Sequence, residues 1–384
     1  MAIHLKYGGS TAARTMGCPA WQRLSEEVPF THDGSNPAAD EGTMLHNCME
    51  ELYGPRSDAT VALLLDEGRE YKGQHLTQEL VDTKLLPATE AMTELLDIHN
   101  ITGWLVEPFV KIDDDIGGSI DFLGLSSDKK TLVVLDYKFG FVPVGVENNK
   151  QLLFYALAAA TDPETMALFD AVDKVVLAVI QPNDNGDDLQ TWEIDMDTVD
   201  RFETDYLNAV DLTEDPQAMP KSGSWCKYCP AHATCPVKTG VALKATRINE
   251  LTADKLAEYL PMAEEVEAWA KEVKKLAHEQ LEFGTPIKGY KLVNKRATRV
   301  WNDVSGVEKK VRLAKKIKLE EGFDLKLKSP AQMEKLCKEK KVDFKSYSQY
   351  ISSVSTGTTL AKESDKRPAA LPVQGLAQLN AMSD

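Results

Sequence analysis

GGSIDFLGLSSDKKTLVVLDYKFG, residues Gly117–Gly140, is the stretch on which the fold turns. Two apolar runs, GGSIDFLGL and TLVVLDYKF, flank the polar turn SSDKK, the pattern of a β-hairpin. With the turn centred between Asp128 and Lys129, cross-strand partners have numbers summing to 257, so Asp121 faces Asp136. Partners across an antiparallel pair share one face of the sheet. Lys138, two residues beyond Asp136, shares that face too. Two carboxylates and an ammonium are therefore expected at one end of the sheet. Neighbouring carboxylates repel unless one is protonated or a cation lies between them. Oxygen ligands suit a hard ion such as Mg²⁺ or Mn²⁺. A charged but functionless sheet end is the plainer alternative, and a one-residue slip of the turn would separate the two acids.

The flanking chain supplies the rest of a layered fold. EGTMLHNCMEELY (41–53) and 76–99 read as helices, the second kinked at Pro87. WLVEPFVKI (104–112) reads as one strand and ENNKQLLFYALAAAT (147–161) as a helix. DKVVLAVIQP (173–182) and LQTWEID (189–195) read as strands joined by NDNGDD, followed by a helix over 197–211. The expectation is a mixed α/β protein with one sheet flanked by helices. His46 lies on the early helix. Gln151 and Tyr155 are four apart on the helix after the hairpin and so share a face.

His46, then GSID with Asp121, LDYK with Asp136 and Lys138, and QLLFY with Gln151 and Tyr155: this order resembles the RecB-like branch of the PD-(D/E)XK nucleases. The likeness covers most of residues 1–240. It implies a restriction-endonuclease-like core and a Mg²⁺- or Mn²⁺-dependent deoxyribonuclease, an exonuclease rather than an endonuclease. It also implies metal ligation by His46, Asp121, Asp136 and the backbone carbonyl of Tyr137. Lys138 would be the catalytic lysine, with Gln151 and Tyr155 positioning the DNA strand. A nuclease fold kept only as a DNA-binding or partner-binding scaffold is the alternative.

SWCKYCPAHATCP places Cys226, Cys229 and Cys235 within ten residues. Such clustering in a cytosolic protein suggests metal rather than disulfides. A fourth ligand is needed, and Cys18 in TMGCPAW is the candidate, with His232 a local rival. One upstream and three downstream cysteines resemble the iron–sulfur members of the same family, the AddB-type helicase–nucleases and CRISPR-associated exonucleases. The resemblance implies a [4Fe–4S] cluster stapling the ends of the domain; Zn²⁺ at the same four thiolates is the alternative. Cys48 and Cys337 have no clustered partners.

The formal net charge is −16, unevenly spread. Residues 1–240 hold 17 Lys and Arg against 40 Asp and Glu, whereas residues 283–350 hold 18 against 8. The basic segment suits a polyanion. A long helix over 254–282 precedes a basic two-stranded patch, GYKLVNKRATRVWND (289–303), in which Lys291, Lys295, Arg296 and Arg299 alternate with Tyr290 and Trp301. Short helices follow near 305–321 and 329–341, then a tail rich in Ser, Thr, Ala and Pro. The expected division is a nuclease domain over 1–240 with its Cys-rich segment 225–236, a basic helical and hairpin region over 241–350, and a flexible tail over 351–384.

No apolar run approaches the roughly 18 residues of a membrane span, and MAIHLKYGGS lacks the apolar stretch of a secretory signal. A cytoplasmic protein is expected. The layout is similar to phage-encoded proteins, which implies host cytoplasm, DNA as partner, and a homo-oligomer or phage replication and recombination proteins as further partners.

Overall fold

In the computed structural model the hairpin forms in the register expected for it. The structure describes residues 5–28, 37–182, 188–246, 253–314, 316–324, 326–354, 358–362 and 366–368. Most of the turn NDNGDD and the end of the tail, residues 183–187 and 369–384, lie outside the described residues.

Helix α1 (Pro37–Tyr53) and helix α2 (Leu86–Ile98) precede the sheet. Before Pro87 the helical path widens into a π turn over Val81–Leu85, which accommodates the missing N–H of the proline. The strands are β1 (Ile101–Val106), β2 (Phe109–Lys111), β3 (Gly117–Ser119), β4 (Phe122–Ser126) and β5 (Thr131–Tyr137). Helix α3 (Lys150–Thr161), capped by the Asn149 side chain, carries the chain across to β6 (Lys174–Ile180). Strand β7 (Leu189–Ile194) and helix α4 (Met196–Thr213) complete the layer.

The five-stranded sheet has the order β1-β4-β5-β6-β7, with only the β5–β6 pair parallel. This is the mixed sheet flanked by helices expected from the alternation of elements. Every residue of β5 is buried, as a central strand covered on both faces requires. Met92, Leu95, Val133, Leu135, Val176 and Ala178 are among the residues that pack one face against the helices.

Two features depart from the sequence reading and shape the site. The run 104–112 is not one strand. It breaks at Glu107–Pro108, where Glu107 takes φ +51°, a left-handed conformation uncommon outside glycine. The facing run breaks at Ile120–Asp121, so β2 pairs with β3 while β1 pairs with β4. Proline restricts the residue before it and lacks a ladder donor, which explains why the break falls there.

The chain divides into two compact units, Met1–Trp269 and Ala270–Asp384. The first extends past residue 240 into helix α5 (Ala253–Glu282). Lys238 pairs with Glu265 at 3.1 Å, and the Trp269 indole N–H donates to the Ala233 carbonyl at 3.0 Å.

In the second unit, β8 (Tyr290–Asn294) and β9 (Thr298–Trp301) do not form a hairpin with each other. They pair instead with β11 (Thr358–Lys362) and β10 (Ile351–Val354) respectively. In both pairs the partner numbers sum to 652, so this is one interrupted antiparallel ribbon. The connection Lys295–Arg296–Ala297 has no glycine for a tight reversal, and the chain runs on. Residues 351–354 and 358–362, expected within the flexible tail, are thus paired strands. Helices α6 (Val304–Leu313) and α7 (Pro330–Glu339) contribute to a small core of Val307, Val311, Ile317, Met333, Cys337 and Tyr347. Among the described residues, no helix is long and apolar enough to cross a membrane.

Candidate active site

The partners of β4 and β5 run Phe122 to Leu135, Leu123 to Val134, Gly124 to Val133 and Leu125 to Leu132. Extending this register by one residue sets Asp121 against Asp136. Asp121 has already left the ladder, and its Oδ2 accepts the backbone N–H of Tyr137 at 2.6 Å. Its own carbonyl accepts the Glu107 N–H at 3.2 Å, tying the two strand breaks together.

Two groups converge on Asp121. His46 on α1 brings Nδ1 to 3.3 Å from Asp121 Oδ2. Ligand-type atoms of His46, Glu107 and Asp121 all lie within 4.8 Å of one another, close enough to share one ion. Sequence reasoning missed Glu107. Its only signal was an acid inside an otherwise apolar strand immediately before proline. The left-handed turn of Glu107 is what takes it out of the strand and into this cluster.

Asp136, buried at the end of β5, is engaged differently from the expected ligand set. Its Oδ1 accepts from Gln151 Nε2 at 2.9 Å, and Oδ2 lies against the Lys138 ammonium. Gln151 also accepts from Lys138 Nζ at 3.2 Å and reaches the Tyr155 hydroxyl at 3.3 Å. Asp136 is not part of the triad within 4.8 Å. Helix α3 brings Gln151 and Tyr155 to one edge of the site, as their four-residue spacing requires. The Tyr155 ring fills space that a side chain at Gly9 would occupy, because a Cβ there would lie 2.6 Å from it.

The electrostatics are those of a crowded anionic pocket. Burial, aided by Asp121, Glu50 and Asp136, pushes the Glu107 carboxyl up to about 8. Burial lifts Asp121 to about 6, with Lys138 and the Tyr137 N–H opposing. Burial and the Asp121 charge lift Asp136 to about 6, again opposed by Lys138. Burial lowers His46 to about 4, although Asp136 and a bond to the Tyr137 backbone pull the other way. The imidazole is therefore neutral at physiological pH and able to ligate. Three acids that resist ionising together are the condition a divalent cation relieves.

The cysteines meet elsewhere in the same unit. Cys18, Cys226, Cys229 and Cys235 line one small cavity, with His232, Arg14 and Trp225. Cys18 Sγ accepts the Lys221 N–H at 3.4 Å, and Cys226 Sγ accepts the Gly223 N–H at 3.5 Å. Among the described residues the only three-ligand group within 4.8 Å is His46–Glu107–Asp121, so no three of these sulfur atoms are that close. A tetrahedral zinc with bonds of about 2.3 Å would draw its sulfur ligands to about 3.8 Å apart. Cys48 and Cys337 are buried in separate cores.

In the second unit Lys295 and Arg296 are exposed and Lys291 is half-buried. Arg299 is already held by Glu334 and lies 5.8 Å from the Phe344 ring centroid. Trp301 donates to the Lys328 carbonyl at 2.9 Å and packs near Tyr347, so it belongs to the core rather than to a stacking surface.

The fold and the side chains define an α/β protein with a three-ligand candidate cation centre beside an Asp–Lys pair whose carboxylate is buried. The chain belongs to the family described as "Protein of unknown function (DUF2800)", whose model matches residues 4–368. Similar solved structures include an alkaline exonuclease (LHK-Exo) from Laribacter hongkongensis. It is 12% identical with a TM-score of 0.24, over 54% of this chain and 88% of that chain. Another is SSO0001, 18% identical with a TM-score of 0.22, over 57% of this chain and 94% of that chain.

Proposed function

We propose that the chain is a divalent-metal-dependent deoxyribonuclease, an exonuclease acting in phage DNA replication or recombination. The observation that carries this is the convergence of His46, Glu107 and Asp121 within 4.8 Å, beside Asp136, Lys138 and Gln151. His46, Glu107 and Asp121 would hold Mg²⁺ or Mn²⁺, with Asp136 and the Tyr137 carbonyl at the margin. When bound, such an ion polarises a phosphoryl oxygen and acidifies a water. Lys138 Nζ would orient the attacking water and stabilise charge building on the phosphate. Gln151 holds the Asp136 carboxylate and Tyr155 in one geometry, so the strand is positioned by groups already in place. The exposed cations Lys295 and Arg296 would take phosphates elsewhere on the polymer.

We favour a [4Fe–4S] cluster held by Cys18, Cys226, Cys229 and Cys235, which share one cavity, with Zn²⁺ at the same four thiolates as the alternative. Backbone N–H donors on two of the sulfurs suit charged thiolate ligands. In this reading the cysteines staple Cys18 to a segment some 200 residues away and stabilise the unit rather than react.

The test is incubation of linear and circular DNA with the protein and Mn²⁺ or Mg²⁺, against Asp136→Ala and Lys138→Ala. Metal-dependent loss of linear DNA, abolished in both variants, supports the reading. Variants that cleave as well as wild type sink it, and binding of DNA without cleavage at any metal leaves a scaffold.

A further inference from the structure

We propose that residues 139–145 form a rigid base-stacking platform, on which Phe141 receives the nucleobase next to the phosphate at Lys138. This rests on the nuclease reading of the site. The segment FGFVPVG follows Lys138 directly. Phe139 is buried, its ring centroid 5.4 Å from that of His46. Two residues on, Phe141 is 91% exposed and Val142 55%. A lone exposed apolar residue needs no explanation. What distinguishes this one is the support beneath it.

Gln181, itself only 5% exposed, directs its whole side-chain amide at this loop. Its Nε2 donates to the carbonyls of Gly140 at 2.7 Å and Val142 at 2.9 Å, and its Oε1 accepts the Val144 N–H at 2.9 Å. Lys84 Nζ donates to the Phe139 carbonyl at 2.9 Å while paired with Glu41 at 2.7 Å. The same ammonium lies 5.1 Å from the Phe141 ring centroid. The backbone is thus pinned on both sides of Phe141 while the ring points into solvent. A preorganised aromatic gives up little entropy when a flat ring stacks on it.

The surroundings choose the occupant. Phe141 borders a groove of about 1030 Å³ that Thr77, Thr83, Gln74 and Gln190 also line, together with the acids Glu41 and Glu79 and the single cation Lys84, which is already paired with Glu41. Amides and hydroxyls beside an aromatic suit base edges and faces, whereas phosphates would call for clustered lysines and arginines. Three residues of chain span at most about 10 Å, so Phe141 is within roughly one nucleotide of Lys138.

The experiment compares wild type, Phe141→Ala and Phe141→Trp. Each is assayed on a single-stranded oligonucleotide and on one made abasic at the nucleotide next to the scissile phosphate. Loss of one base stack predicts a fall in kcat/KM of about 5- to 150-fold for Phe141→Ala, carried by KM. Phe141→Trp should restore it, and the abasic oligonucleotide should show no difference between the three proteins. Equal kcat/KM for wild type and Phe141→Ala, or an equal loss on the abasic oligonucleotide, overturns the platform. If the wild type cleaves nothing, the nuclease reading falls, and quenching of a 2-aminopurine oligonucleotide decides separately. Quenching by wild type and not by Phe141→Ala retains the platform; identical signals, or none, remove it.

Discussion

Replacing Asp136 by asparagine should make the metal-free protein more stable and the metal-loaded protein less so. Asp136 is 2% exposed, and its carboxyl sits at about 6 rather than the usual 3.8 because of burial and the Asp121 charge. At about 1.4 kcal/mol per pH unit, keeping it ionised at pH 7.5 costs the fold about 3 kcal/mol. Its pKa is higher in the folded state, so the folded protein binds the extra proton. The stabilisation is complete below pH 3.8 and is lost as pH rises through about 6. The substituted amide removes that burden and still offers an oxygen to Gln151. The Lys138 ion pair is already contained in the value of about 6, but the amide places a buried NH₂ group against the Lys138 ammonium, and a buried donor without an acceptor costs about 1–2 kcal/mol. The net gain is about 1–2 kcal/mol, or roughly 2–8 °C in Tm for a unit of this size.

Thermal unfolding followed by circular dichroism measures this in EDTA at pH 7.5 and pH 5, and in Mn²⁺ at pH 7.5. In EDTA at pH 7.5 Asp136→Asn should melt above wild type. At pH 5, where the wild-type carboxyl is protonated, the gap should close. In Mn²⁺ the order should reverse: a ligand at about a hundred times its Kd stabilises by about 2.7 kcal/mol, and the variant has lost part of the charge that attracts it. An Asp136→Asn protein melting below wild type in EDTA at both pH values would show that the acid is structural, and the reasoning would be wrong.

Other substitutions separate the parts. Glu107→Gln should weaken Mn²⁺ binding by at least about tenfold, measured by calorimetry; unchanged affinity removes Glu107 from the ligand set. Mn²⁺ affinity of the wild type should rise as pH increases from 6 to 8, because Glu107, Asp121 and Asp136 must shed protons; a flat profile contradicts this. Cys18→Ser should abolish visible absorbance near 400 nm and lower Tm, whereas retained colour would place the fourth ligand elsewhere. Lys295→Ala with Arg296→Ala should lower the salt dependence of duplex binding by about two in the log–log slope, while Arg299→Ala, already paired with Glu334, should leave it unchanged.

The hairpin was legible because its information is local. Five polar turn residues between apolar runs set the register, and the register alone aligns Asp121 with Asp136. The meeting of Cys18 with the later cysteines was legible across some 200 residues for a different reason, that three clustered thiols point to a fourth. Glu107 was hidden because its position depends on two strand breaks answering each other across a sheet. A period-two pattern reads straight through both of them. The ribbon of the second unit was misread for a similar reason. Its partners are about 60 residues apart, and Ile351–Val354 lies in a segment whose composition suggests a loop, while the adjacent pieces 290–294 and 298–301 invite pairing with each other.

The candidate site itself is acidic. Glu107, Asp121 and Asp136 crowd into one pocket with a single lysine beside them, and burial raises all three carboxyls. Such a pocket repels a bare phosphate. It would accept one once a divalent cation had reversed the local sign; the groove beside Phe141 carries Glu41 and Glu79 as well as hydroxyls, amides and Lys84. The cations suited to capture without metal, Lys295 and Arg296, stand on the ribbon of the second unit. Binding and cleavage should therefore respond to different variables. Salt should govern capture and metal should govern turnover, so EDTA should abolish cleavage while leaving most of the duplex affinity in place.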